Sequence, residues 1–152
     1  MNEKIEQLMS ELSEKLEMTL DFGEDNAIDL DIGGELTLNL RKDDENGVLS
    51  LAAVVADELP DALAPSMMVE LMDLALNPLV SGAPAIGREN ESGMMVAYVN
   101  LPVATVALSD FPEMVEAFID FALVWKTKFR DMPVSVVGTD PEMSTGYETI
   151  KA

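Results

Sequence analysis

The residues that come closest to a chemical motif in this sequence are paired or consecutive carboxylates. Asp29 and Asp31 alternate along one segment, and the run Asp43–Glu45 is followed closely by Gly47. Carboxylate oxygens are calcium ligands, but neither group has the ligand spacing of a helix-flanked calcium-binding loop. Solvated carboxylates on a strand and in a turn explain both groups, so we predict no metal site.

Two further patterns match part of a catalytic motif, but the other residues that such a motif needs are missing. Asp21-Phe22-Gly23 spells the metal-binding triplet of protein kinases, but no glycine-rich loop, strand lysine or catalytic loop accompanies it. Glu70 and Asp73 share one face of a predicted helix and have the residue types of an acid/base pair. The simpler explanation is that both carboxylates lie on a solvent-exposed polar stripe of that helix. We therefore predict no catalytic residue, no cofactor and no enzymatic activity.

Two missing residue types narrow the function classes further. The 152 residues contain no cysteine and no histidine. Disulfides and thiolate metal sites are therefore excluded, and the commonest general base and zinc ligand is absent. The lack of cysteine fits a reducing cytoplasm. The first residues are acidic and amphipathic, unlike the basic and then apolar start of a secretory signal, so we expect a cytoplasmic protein.

The net charge restricts the partners. It is -20, from 9 basic and 29 acidic residues. Long-range repulsion disfavours a nucleic-acid backbone and an anionic membrane, so we expect neither as a partner. No uncharged apolar run approaches the roughly 18 residues that are typical of a membrane span. The charge suits a partner with basic segments, and a general role in solubility is the alternative.

The stretch from Ala64 to Gly82 reads as a helix with an unusually wide apolar surface. Pro65 suits a first helical turn, and Pro78 lies where a helix is expected to stop. A helix packed on one sheet needs an apolar arc of only about 100°. The polar side chains of this helix form one narrow stripe, so a second surface must cover part of the rest. A symmetric copy of the chain is the simplest candidate, and a helix enclosed within one monomer is the alternative. The candidate dimer contacts are Met68, Leu71, Met72 and Ala75.

The first third of the chain predicts a helix followed by three strands. Ile5, Leu8, Met9, Leu12 and Leu16 have helical spacing, which predicts a helix over about Asn2–Met18. Two segments with period-two apolar residues follow, and Gly33-Gly34 between them indicates a two-residue hairpin. Their apolar residues are Ile28, Leu30 and Ile32, then Leu36, Leu38 and Leu40. A third strand is predicted over Val48–Ala56.

The remainder predicts two strands and a final helix. The strands are Gly82–Glu89 and Met94–Leu101, with an extended continuation to Leu108. Asp110 and Glu113 have capping-box spacing at the start of the last helix, which is expected to end near Asp131. The fold class is α+β, a mostly antiparallel twisted sheet with three helices in the order α-β-β-β-α-β-β-α. We expect one domain over residues 1–132 and a mobile tail over residues 133–152.

Methionine is abundant for a chain of this size. Eleven are present, three of them in the predicted central helix. Methionine adapts to irregular partners and is frequent at promiscuous binding surfaces, while filling gaps in an ordinary core is the alternative.

Four stretches, in this order and spacing, resemble a known family. They are the opening amphipathic helix with the hairpin IDLDIGGELTLNL, the passage LSLAAVVADELPDALAPSMMVELMDLALN, the segment SGAPAIGRENESGMMVAYVNLP and the closing FPEMVEAFIDFALVWKTKF. Together they resemble the small acidic class I chaperones of bacterial type III secretion, the Tir chaperone-like family. The resemblance covers about Ile5 to Met132.

The resemblance implies a homodimer that binds an extended segment near the N-terminus of a secreted effector. Such a chaperone keeps the effector competent for secretion and presents it to the export apparatus, with the secretion ATPase as a further candidate partner. The alternative is a protein-binding regulator of the same fold that serves no secretion system.

The first hairpin is the expected effector site, because an extended polypeptide can pair with a sheet edge and bury alternate side chains. The resemblance implies the same location, along the first helix and the sheet. The candidate contacts are Leu8, Leu12, Leu30, Ile32, Leu38 and Leu40. Packing of the helix onto the sheet is the alternative role for at least half of them.

Overall fold

A computed structural model of the chain describes residues 2–132, and the predicted tail over residues 133–152 lies outside this part. The predicted α+β architecture is confirmed, with five strands and three main helices. The elements are α1 (Glu3–Leu16), β1 (Ala27–Ile32), β2 (Leu36–Asp43), β3 (Val48–Ala56), α2 (Pro65–Ala75), α3 (Asn77–Val80), β4 (Ala85–Arg88), β5 (Met95–Pro102) and α4 (Phe111–Arg130).

Helix α1 begins at a side-chain cap. The Asn2 side chain accepts hydrogen bonds from the backbone N–H groups of Lys4 and Ile5, at 3.1 and 3.3 Å. These two donors have no partner inside the helix, so the cap stabilises its first turn. The helix ends at Leu16, two residues before the predicted end, because Glu17 adopts a left-handed conformation with φ 54°.

The five strands form one antiparallel sheet in the order β1-β2-β3-β5-β4. The β1–β2 hairpin pairs Ile32 with Leu36, so its loop has three residues rather than the predicted two. Gly33 and Gly34 both have positive φ, and the Gly34 N–H donates to the Asp31 carboxylate at 3.0 Å. Glycine adopts these angles without steric cost, which is why the chain can reverse here.

The core lies between one face of the sheet and the helices α1 and α4. The period-two leucines of β2 and β3 are buried on this face, among them Leu38, Leu40 and Leu51. Helix α4 covers the centre of the sheet with a helical stripe of buried residues, which are Phe111, Val115, Phe118, Ala122, Trp125 and Phe129. Among the helices of residues 2–132, none combines the length and apolar composition needed to cross a membrane.

The opposite face of the sheet is polar at β1 and more apolar towards β3 and β5. The strand register brings Asp29, Asn39, Ala52 and Tyr98 into one row across it. The Asn39 amide donates to the Asp29 carboxylate at 2.7 Å across this row. The members of the row are exposed or half-buried, so this face, called the open sheet face below, borders solvent.

Helix α2 ends at Ala75, close to the stop that Pro78 predicted, and the four-residue turn α3 follows with Pro78 in its first turn, because proline has no N–H to continue the preceding ladder. Two other sequence-based predictions near the connections were wrong. The segment predicted to run extended to Leu108 instead contains two 3-10 turns, Val103–Thr105 and Leu108–Asp110. Asp110 precedes α4 but makes no side-chain cap hydrogen bond, because its backbone is already helical.

Candidate functional site

Helix α2 and turn α3 present an exposed apolar surface, which we call the α2–α3 surface. None of the eleven residues of α2 is buried, although the helix is rich in methionine and leucine. Met72 is 70% exposed and Leu79 is 84% exposed, values more typical of charged side chains. A contiguous exposed apolar patch of this kind marks an interaction site. The surface consists of Met68, Val69, Met72, Leu76, Leu79 and Val80.

A different side of α2 fixes the helix to the body. Met67, Leu71 and Leu74, spaced i, i+4 and i+7, are half-buried against the core. Glu70 forms a salt bridge with Lys128 of α4 at 2.9 Å, and the same ammonium group lies 4.5 Å from the centre of the Trp125 ring. An exposed ion pair stabilises little by itself, but it shows that α2 lies beside α4 with its other side turned outward.

The predicted dimer contacts separate into two groups. Met68, Met72 and Ala75 are exposed, whereas Leu71 is half-buried and packs against the body of its own chain. Leu79 and Val80 were not among the predicted contacts, because Pro78 marked the expected end of the helix. Their apolar side chains, directly after Pro78, could have indicated that the exposed apolar surface continues beyond the helix.

Strand β1 is an edge strand, and its outward backbone groups can be assigned. The Lys42 N–H donates to the Asn26 carbonyl at 2.9 Å, next to the pairing of Ala27 with Arg41. In an antiparallel ladder, consecutive residues point their backbone groups alternately towards and away from the partner strand. The N–H and C=O groups of Asp29 and Asp31 therefore point away from β2, to the free edge.

Most of the predicted effector contacts lie inside the molecule. Leu8 and Leu12 of α1 and Leu38 and Leu40 of β2 are fully buried, so the structure brings them together as core residues that pack the helix onto the sheet. Contact between these four and a partner would require the core to open. The other two lie on edge strand β1, where Leu30 is buried and Ile32 is half-buried.

A groove beside α1 lies near these residues. It has a volume of about 490 Å³ and lies between the helix and the link that leads to β1. Its apolar walls include Met9, Met18 and Phe22, and the ammonium group of Lys42 lies 5.2 Å from the Phe22 ring centre. The groove was not predicted from the sequence, because Met18 was assigned to the end of the first helix and no site was expected between that helix and the first strand.

Two carboxylates in turns have lowered pKa values, and one of them, Asp43, belongs to the acidic run considered above as a calcium ligand. Asp43 accepts hydrogen bonds from the Asn46 side chain and backbone, which lower the pKa of its carboxyl. In the β4–β5 turn, bonds from the Ser92 hydroxyl and N–H and from the Glu91 N–H lower the pKa of Glu89 to about 2. Within the described part of the chain, no three acidic side chains lie together as a metal site requires.

Comparison with known proteins gives one family match. The model of the Tir chaperone protein (CesT) family matches residues 7–126, most of the chain. No curated protein sequence matches the chain.

Solved structures with similar folds include chains of three protein complexes. A chain of the HopA1–SchA chaperone–effector complex has a TM-score of 0.68 and 22% identity, over 82% of this chain and 94% of that chain. For the Yersinia pestis type III secretion chaperone SycH in complex with a fragment of YscM2, the TM-score is 0.62 and the identity 13%, over 78% and 96%. For the ExoT–SpcS complex from Pseudomonas aeruginosa, the corresponding values are 0.57 and 16%, over 80% and 97%. At these identities the likeness establishes the fold.

Proposed function

We propose, because the chain belongs to the Tir chaperone protein (CesT) family, that it is a type III secretion chaperone that binds an extended segment of a secreted effector. The observation that carries this proposal is the family match over residues 7–126, which includes nearly all of the described fold. The chaperone keeps the effector segment competent for secretion and presents it to the export apparatus. A regulator of the same fold that is not tied to secretion is not favoured by these comparisons.

The proposed binding mode is addition of an effector strand to the edge of β1. The backbone groups of Asp29 and Asp31 point outward and are available to a new strand. Main-chain hydrogen bonds at a sheet edge supply affinity without requiring a particular sequence, and side-chain pockets supply specificity. This mode suits a chaperone that holds a segment which is not folded.

On the helix side of the sheet, the side chains of the added strand can contact two regions, the rim of the core and the groove beside α1. Ile28 and Ile32 are half-buried at the rim of the core and share that side with Leu30. The groove beside α1 contributes Met18, which is 49% exposed. We therefore propose Leu30 and Ile32 as rim contacts, with the groove as a neighbouring pocket.

The proposed assembly is a homodimer through the α2–α3 surface. A two-fold interface pairs the same patch from both subunits, so Met68 and Met72 of one copy would meet their equivalents. The charge of the rest of the chain keeps such a patch soluble before assembly. Leu71 and Ala75 are proposed to flank it. We propose a cytoplasmic location and the secretion ATPase as a further partner on the family resemblance alone.

Replacement of Asp29 by proline tests the strand-addition mode. Proline removes the outward N–H and places a ring at the edge, while the bonds from Ile28 and Leu30 to β2 remain. Asp29→Asn is the matched control, because it loses the same charge and keeps the N–H. The protein is purified from its native host with each substitution, and the associated proteins are quantified by mass spectrometry.

We expect the amount of effector that co-purifies with Asp29→Pro to be at least about tenfold lower than the amount with Asp29→Asn. A tenfold change corresponds to about 1.4 kcal/mol, which is near the contribution of one or two backbone hydrogen bonds. Circular dichroism and the thermal midpoint show whether both variants stay folded. Equal recovery of the effector by two folded variants would place the site elsewhere on the molecule.

A further inference from the structure

The open sheet face contains a broad concavity that the proposed function does not use. It has a volume of about 600 Å³ and is bordered by β1, β2, β3 and the start of β5. Its floor is aliphatic, formed in part by Ala52, Val54 and Val96, and Val54 is 39% exposed. The helices α1 and α4 pack on the other side of the sheet, although Lys126 of α4 also lines the concavity. The concavity shares no lining residue with the groove beside α1.

The charged groups around this floor have mainly one sign. Four carboxylates line the concavity together with one ammonium group, that of Lys126. Across residues 2–132 the salt bridges join Lys42 to Asp44, Lys128 to Glu70 and Arg130 to Asp131, so none of the four carboxylates takes part in one. The four are Asp29, Asp31, Glu35 and Asp57.

We propose that the concavity on the open sheet face binds a positively charged, extended polypeptide segment. Lysine and arginine have aliphatic stems that pack on an apolar floor while their charged ends reach outward, and here the four carboxylates stand at the rim to receive those ends. The pleated floor matches an extended chain, whose side chains alternate with period two.

Charge complementarity decides between the candidate occupants. A second copy of this chain, with its net charge of -20, would be repelled by the rim carboxylates. A nucleic-acid backbone or an anionic lipid surface would be repelled for the same reason. A basic polypeptide segment is attracted, and electrostatic steering would also increase its association rate. Binding in this concavity requires neither a secretion system nor pairing at the β1 edge.

A synthetic peptide that alternates lysine and threonine, about ten residues long so that it spans the sheet, tests the proposal by titration calorimetry. The quadruple variant Asp29→Asn, Asp31→Asn, Glu35→Gln and Asp57→Asn removes the rim charges. The substitutions of Asp29 and Asp31 keep the oxygen atoms that accept bonds from Asn39 and Gly34. The control variant removes four exposed charges from α1 and α4 by Glu14→Gln, Glu113→Gln, Glu116→Gln and Asp120→Asn.

We expect the rim variant to bind the peptide about tenfold more weakly and the control variant to stay within about twofold of the natural chain, because exposed charge pairs contribute little singly and more together. Raising the salt concentration should weaken binding to the natural chain. Equal loss in both variants, no loss in the rim variant, or no binding by the natural chain would overturn the proposal.

A second measurement does not depend on the folding of any variant. The peptide is added to the isotopically labelled natural protein, and the amide resonances are followed by NMR. We expect the shifts to concentrate at Ala52, Val54 and Val96. Shifts confined to α1 or α4 would also overturn the proposal.

Discussion

Met72→Lys is expected to convert the protein from a dimer to a monomer at micromolar concentration. Met72 is 70% exposed in the single chain, at the centre of the α2–α3 surface. Burial of an apolar side chain of this size contributes roughly 1.5–3 kcal/mol, and a two-fold interface buries it twice. Lysine also introduces a charge that needs solvation. The dimer dissociation constant should therefore rise by at least about 100-fold, because each 1.4 kcal/mol is a factor of about ten.

Light scattering coupled to size-exclusion chromatography measures this change. Thr127→Lys is the control, because it adds the same charge at an exposed position of α4. The control should remain a dimer, and both variants should keep the helical content of the natural chain. A natural chain that is already monomeric at micromolar concentration would refute the dimer, and a dimeric Met72→Lys variant would exclude this surface as the interface.

Leu38→Asp is expected to unfold the protein. Leu38 is fully buried in β2 between neighbours on both sides, so an aspartate there loses the burial energy and leaves a carboxylate without a partner. The combined cost is several kcal/mol, comparable with the whole stability of about 5–15 kcal/mol of a typical domain. Thermal unfolding followed by circular dichroism should show no cooperative transition.

Two controls separate core packing from partner binding. Thr37→Asp introduces the same side chain at the exposed neighbouring position of β2, and its thermal midpoint should stay within about 5 °C, since surface substitutions change stability little. Ile32→Asp, at the half-buried rim of β1, should stay folded and lose effector binding. A folded Leu38→Asp variant with a normal midpoint would mean that this side chain is not part of a packed core.

The strands could be predicted because their period-two pattern is strong. Leu36, Leu38 and Leu40 alternate with polar residues, and this alternation identifies both the strand and its buried face. The same pattern did not reveal whether another element covers that face. Leu38 of β2 and Ile32 of β1 both belong to such alternations, yet Leu38 is fully buried and Ile32 at the rim is half-buried.

The central helix shows a related limit. Its wide apolar surface correctly indicated that one sheet does not account for all its sides, yet the sequence did not show which sides face solvent in the single chain. Met67 and Met68 are neighbours with the same side chain, and only the orientation of α2 beside α4 makes the first half-buried and the second 49% exposed. The turns after Pro102 were missed because apolar residues in short 3-10 turns have no distinctive period.

Backbone amide exchange in the complex with the effector tests the central claim most directly. In the free protein, the N–H groups of Asp29 and Asp31 point to the open edge of β1 and should exchange freely with solvent. The complex is isolated from the native host, and exchange at these amides is compared by NMR with exchange in the free protein. Strong protection of both amides in the complex is the predicted result. Unchanged exchange at Asp29 and Asp31 while the effector stays bound would contradict strand addition at β1.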